Sequence, residues 1–89
     1  MYLYLGQETV VPTREIVGIF DLENTTISKN TRDFLAEAET NGRVITVSEE
    51  LPKSFVVCES KTHGTTVYIS QISCMTLLKR ARELRKTEK

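Results

Sequence analysis

The spacing of apolar residues changes several times along this chain, and each change marks an element. Residues 2–5 alternate Tyr and Leu, residues 8–11 stop at Pro12, and residues 15–22 carry the nearly continuous apolar run Ile16-Val17-Gly18-Ile19-Phe20. These patterns predict three opening strands, with Pro12-Thr13-Arg14 as the turn between the second and third. A short helix is predicted over residues 30–40. Ser28 or Asn30 is its N-cap, Phe34, Leu35 and Ala38 form its apolar stripe, and Asn41-Gly42 stops it. Residues 43–47 alternate again, 55–58 are apolar throughout, 61–64 form a turn, and 65–70 make the last strand. After the hinge Ser70-Gln71-Ile72-Ser73, Ser73 caps a C-terminal helix over residues 74–84. Its spacing turns Cys74, Leu77, Leu78, Ala81 and Leu84 inward and aligns Lys79, Arg82 and Lys86 on another face.

The expected fold is therefore α+β: a small, mostly antiparallel sheet with one short middle helix and a C-terminal helix. Two of its strands do not fit a half-solvated sheet. Residues 16–20 and 55–58 are apolar on both faces, as strands are when both faces are covered. If the two modest helices cover one face, the other requires a neighbouring protomer, and a small chain gains much by burying area in an oligomer. Ile16, Val17, Ile19, Phe20, Phe55 and Val57 are then the expected interface of a homo-oligomer. A small barrel-like sheet that covers its own interior is the alternative.

Eighty-nine residues predict one domain spanning positions 1–89. The first eleven residues are apolar at the start but lack a basic leader, and Gly6, Gln7 and Glu8 interrupt them before a signal or membrane span could form. The expectation is a cytoplasmic protein. Cys58 and Cys74 sit in apolar surroundings without CxxC spacing, which predicts reduced, buried thiols. Net charge is zero but unevenly spread. Residues 1–72 hold six basic and ten acidic side chains, a balance of −4, and residues 73–89 hold six basic and two acidic, a balance of +4. A basic C-terminal segment suits a polyanion or, more simply, a solvated helix whose cations complement the end of its macrodipole.

No catalytic constellation, phosphate loop or metal-ligand cluster is visible in the sequence, so an enzyme, a cofactor and a small-molecule substrate are not expected. His63 lies in the turn Lys61-Thr62-His63-Gly64 with no second ligand nearby. Ser70, Ser73 and Thr76 have no partner base that would make a nucleophile. Tyr2 and Tyr4 read as strand aromatics packed on a neighbour rather than as base-stacking groups. The function is expected to reside in a surface.

Several short blocks in a fixed order carry a family likeness. MYLYLG-x-E-x-VVP, REIVGIFDLE, PKSFVV and VYISQIS-x-x-TLLKRA resemble the small bacterial regulators of extracellular matrix, or biofilm, production, the RemA and RemB family. The MY-x-x-LG start together with GIFD is closer to the RemB branch. The likeness covers nearly the whole chain and is weakest over residues 24–51. It implies a DNA-binding transcription regulator without helix-turn-helix architecture, whose protomers assemble into a ring with DNA around the outside.

The likeness also implies roles for particular residues. The DNA-binding RemA branch has an arginine in the turn before the third strand, where this chain has Arg14, and an arginine cluster in the loop before the strand resembling SFVV. Here that loop is Glu49-Glu50-Leu51-Pro52-Lys53, which keeps one cation and adds two carboxylates that repel a polyanion. The DNA-binding candidates are thus Arg14 and Lys53, with Lys79, Arg82 and Lys86 on the basic helix face. Arg14 has a second reading as an exposed turn residue paired with Glu15 or Asp33. Two functional classes follow. One is a ring-forming regulator bound to DNA. The other is an oligomeric scaffold or modulator that has lost direct DNA binding and joins a paralogous regulator.

Overall fold

A computed structural model describes residues 1–23 and 28–87. Strands β1 (Tyr2–Gly6) and β2 (Thr9–Pro12) form an antiparallel hairpin that buries Leu3, Leu5 and Val11 and leaves Tyr2, Tyr4 and Val10 exposed. The hairpin turns through Gly6, Gln7 and Glu8, all at positive φ. Glycine suits position 6 because its φ of +112° is a conformation that side chains rarely adopt, and a Cβ there would also push on the Gln71 amide at 2.9 Å. A single 3-10 turn, Thr13–Glu15, leads into β3 (Ile16–Asp21). Helix α1 spans Lys29–Thr40, where Ser28 Oγ accepts the Thr31 N–H at 3.2 Å and Asn41 with Gly42, at φ +69°, ends the helix. Then come β4 (Val44–Thr46), β5 (Ser54–Ser60), β6 (Gly64–Ser70) and α2 (Cys74–Thr87). Ser73 Oγ caps α2 by accepting the Thr76 N–H at 3.2 Å. Glu88 and Lys89, part of the basic tail counted in the sequence, lie outside the described residues.

The larger sheet has the order β3-β5-β6-β4, antiparallel except for the parallel pair β4 and β6. The sequence predicts a single sheet, but β1 and β2 make a separate two-stranded one. Central strand β5 sends alternate residues to opposite faces. Val56 and Cys58 pack with Leu3, Leu5, Val11 and Leu77, placing the hairpin and α2 on one face. Phe55 and Val57 pack with Val67 and Ala38, placing α1 on the other.

This corrects the premise that both helices share one face. Each face of β5 is covered from within the chain, so its doubly apolar pattern does not require a neighbour. Phe55 and Val57 are buried core residues and have no surface to offer a second protomer. Ile16 and Ile19 are half-buried, whereas Phe20 is exposed and Val17 is 65% exposed. Leu78, expected inward on α2, is 40% exposed because it flanks the buried stripe rather than lying on it.

Two buried serines fix the hinge between β6 and α2. Ser70 Oγ donates to the Leu5 carbonyl at 2.8 Å and accepts the Ile72 N–H at 3.0 Å, while Ser54 Oγ donates to the Ile72 carbonyl at 2.7 Å. Ile72 is held through both its N–H and its carbonyl, and the hairpin is tied to the sheet through Leu5. Ser70→Ala leaves the buried Leu5 carbonyl and the half-buried Ile72 N–H without this partner. A loss of about 1–3 kcal/mol in urea unfolding is expected, and a loss below measurement error would show that the clamp is not a stabilising network.

Candidate nucleic-acid interface

An open groove of about 490 Å³ with three arginines in its lining lies between β3 and α2. Helix α2 starts beside the end of β3, with the Cys74 thiol 3.7 Å from the Ile19 carbonyl oxygen, and its later turns line the groove together with Thr13 and Arg14. The floor is apolar, built from Ile16, Val17, Ile19, Leu78 and Ala81. Arg14, Arg82 and Arg85 complete the lining, and no carboxylate is among the groove residues.

Local structure explains how each arginine reaches this place. Pro12 leads into the short turn that carries Arg14, and the Thr13 N–H donates to the Met1 carbonyl at 2.9 Å, which pins the turn to the start of β1. Arg82 and Arg85 are three residues apart on α2 and so share one flank of the helix. Their position in the later part of α2 also suits its macrodipole. Lys79 and Lys86 are exposed and lie farther from the buried stripe, and Arg82 stands between them and the groove.

Among the described residues these three arginines have no salt bridge, and Arg14 is not paired with Glu15 or Asp33. Asp33 pairs with Lys29 at 3.1 Å, and Glu15 lines a separate hollow with Cys58, His63 and Tyr68.

The structure thus brings Arg14 and Arg82 together but separates Lys53 from them. Lys53 precedes β5 and accepts the Leu22 N–H through its carbonyl, next to the end of β3, whereas Arg14 lies just before its start. Arg85 is the groove residue that sequence reasoning missed. Its spacing from Arg82 carried the signal.

The remaining candidate chemistry is quiet. Burial, and secondarily the Glu15 carboxylate, pushes the Cys58 thiol up to about 11. Burial and then Asp21 raise Cys74, so both free cysteines are protonated at neutral pH and are poor nucleophiles. Among the described residues no group of three or more His, Cys, Asp or Glu could hold a metal, and no helix is long and apolar enough to cross a membrane.

Residues 2–81 match the model of the RemA-like family, described as extracellular matrix regulatory protein A-like. The chain belongs to the RemA-like family. Over 81 residues it is 38% identical to extracellular matrix regulatory protein B of Bacillus subtilis (strain 168), covering 91% of this chain and 90% of that protein. Arg14, Lys53 and Lys79 of this RemA-like chain fall inside the matched segment, and Arg82, Arg85 and Lys86 follow it.

Proposed function

We propose that this RemA-like chain is a non-enzymatic, cytoplasmic transcription regulator that binds DNA as a ring-shaped homo-oligomer. The observation that supports this most is the convergence of Arg14, Arg82 and Arg85 on one groove free of carboxylates, continued outward by Lys79 and Lys86. Guanidinium groups displace counterions from phosphates, which gives sequence-independent affinity that falls with salt. A ring repeats the basic surface around its circumference, so weak contacts per protomer act together. The alternative, a scaffold or modulator that joins a paralogous regulator, draws on the exposed Glu49 and Glu50, which lie where the family resemblance implies arginines.

A gel-shift salt titration run beside a solution mass measurement tests the reading. Arg14→Ala should leave the mass unchanged, because a turn cation adds little to folding and the groove keeps Arg82 and Arg85. It should weaken DNA binding at every sequence tested and reduce the slope of log K against log salt by about 0.9 for each phosphate no longer neutralised. Unchanged affinity at low and high salt would remove Arg14 from the interface. No binding by the native chain at low salt would favour the scaffold.

A further inference from the structure

The hollow beside Glu15 has a volume of about 260 Å³ and a lining unlike that of the basic groove. Strand register explains how it forms. Cys58 pairs with Thr66, and Tyr68 pairs with Ile45 on β4, so these side chains share one face of the larger sheet. The hairpin and α2 cover that face around Val56 and Leu77. Beyond them, toward the turn between β5 and β6, the hollow opens against Ser60, His63 and Gly64. Glu15, at the end of the 3-10 turn, completes it from the β3 side.

The lining holds one carboxylate, Glu15, together with the hydroxyls of Ser60, Thr66 and Tyr68, and no lysine or arginine. Glu15 is half-buried, and among the described residues it has no salt bridge. Its charge reaches into the hollow: burial and then Glu15 raise the Cys58 thiol, and burial, Cys58 and then Glu15 raise the Tyr68 phenol. A partly desolvated carboxylate without a counter-charge favours a cation. Arg43 does approach Gly64, with Nη1 3.7 Å from where a Cβ would stand. It precedes β4, however, whereas Glu15 precedes β3 at the opposite edge of the sheet, and three strand spacings put roughly 14 Å of backbone between them. The space exceeds what a bare ion needs, since a water molecule occupies about 30 Å³. Among the described residues no group of three or more His, Cys, Asp or Glu is placed to hold a metal.

We propose that this hollow binds a small organic cation, an alkylguanidinium whose head pairs with the Glu15 carboxylate beside Tyr68 and whose alkyl chain lies across the sheet toward Ile45. A planar guanidinium matches a carboxylate through two parallel N–H···O bonds. The hydroxyls of Ser60 and Thr66 are acceptors for its remaining N–H groups, and the Tyr68 ring is an aromatic surface for the cation. Ile45, 45% exposed, gives the chain an apolar surface to cover. The volume lies just below the usual range for ligand sites, which suits a ligand of few atoms. The site goes beyond the DNA-binding function and does not depend on it. Arg14 and Glu15 are consecutive, yet Arg14 lines the groove and Glu15 the hollow.

The test titrates the full chain with butylguanidine at neutral pH and constant ionic strength, followed by amide NMR. Saturable shifts are expected at Cys58, Thr66 and Tyr68, with a dissociation constant in the millimolar range, as so small a ligand allows. Butylurea, which has the same shape without the charge, should bind the native chain at least about tenfold more weakly. Glu15→Gln should weaken butylguanidine by about the same factor while the rest of the spectrum stays native. Acetylarginine methylamide carries the same head on a peptide backbone and should bind no better than butylguanidine. Absence of saturable shifts, equal binding of butylurea, or equal binding by the Glu15→Gln chain would each overturn the site. Tighter binding of the arginine derivative would overturn the free ligand in favour of an arginine of a protein. The butylurea comparison needs no variant, so it decides even where Glu15→Gln fails to fold.

Discussion

Leu77→Ala is expected to lower the stability of this domain by about 2–5 kcal/mol, the range for removing a fully buried leucine when the site cannot collapse. Leu77 is completely buried and shares its cluster with Leu3, Leu5, Val11 and Val56, so it is the point where α2 joins both the hairpin and the larger sheet. Three different elements border the vacated space, and closing it would require them to move together. A small domain has a total stability on the order of 5–15 kcal/mol, so the loss is a large fraction of the whole. Urea unfolding should show a much lower midpoint with an unchanged slope. A loss under about 1 kcal/mol would mean that α2 does not pack as described. Because α2 carries Arg82 and Arg85, the groove is expected to lose its shape in the same variant.

The second large effect is alkaline destabilisation through Cys58. Burial, with a smaller contribution from the Glu15 carboxylate, raises this thiol from an ordinary value of 9.0 to about 11. A folded value above the unfolded one means that the contribution is complete below pH 9 and is lost as pH rises through about 11. The gap corresponds to at most about 3 kcal/mol, and solvent screening lowers it. Tyr68 acts in the same direction, raised by burial first and then by Cys58 and Glu15. Urea midpoints measured from about pH 8 to above pH 11 should fall steeply in the native chain and more shallowly in Cys58→Ala. Parallel profiles would assign the alkaline loss to other groups. At neutral pH both thiols remain protonated, so mild oxidants should leave stability little changed.

The local elements were legible in the sequence because their signals are local. Ser28 and Ser73 cap the helices as expected, Asn41-Gly42 ends α1, and β1, β2, β3, β5 and β6 lie close to the predicted positions. What was not legible depends on contacts between distant segments. The apolar run at 55–58 shows that both faces of β5 are covered, but not that α1 covers one and α2 with the hairpin covers the other. Neither the parallel pairing of β4 with β6 nor the separate hairpin sheet has a sequence signal of its own. The groove was partly legible. Arg14 stood out through the family resemblance and Arg82 through the charge of α2, but their approach depends on how α2 runs along β3. Leu78 and Arg85 follow from the same geometry: both lie on the flank of α2 that faces β3, one exposed and one unnoticed.

The irregularity at the start of β3 has a further consequence. Ile16 pairs with Cys58 and Gly18 with Val57, which makes Val17 the extra residue of a bulge. Without it, Ile16-Val17-Gly18-Ile19-Phe20 would be a flat, uncharged edge strand of the kind that templates fibrils by adding strand upon strand. The bulge bends the outer rim at the point where an incoming strand would have to align. Backbone-to-backbone growth is discouraged, while Val17 stays exposed. Val17, the residue that makes the bulge, also makes this edge a poor template for adding strands.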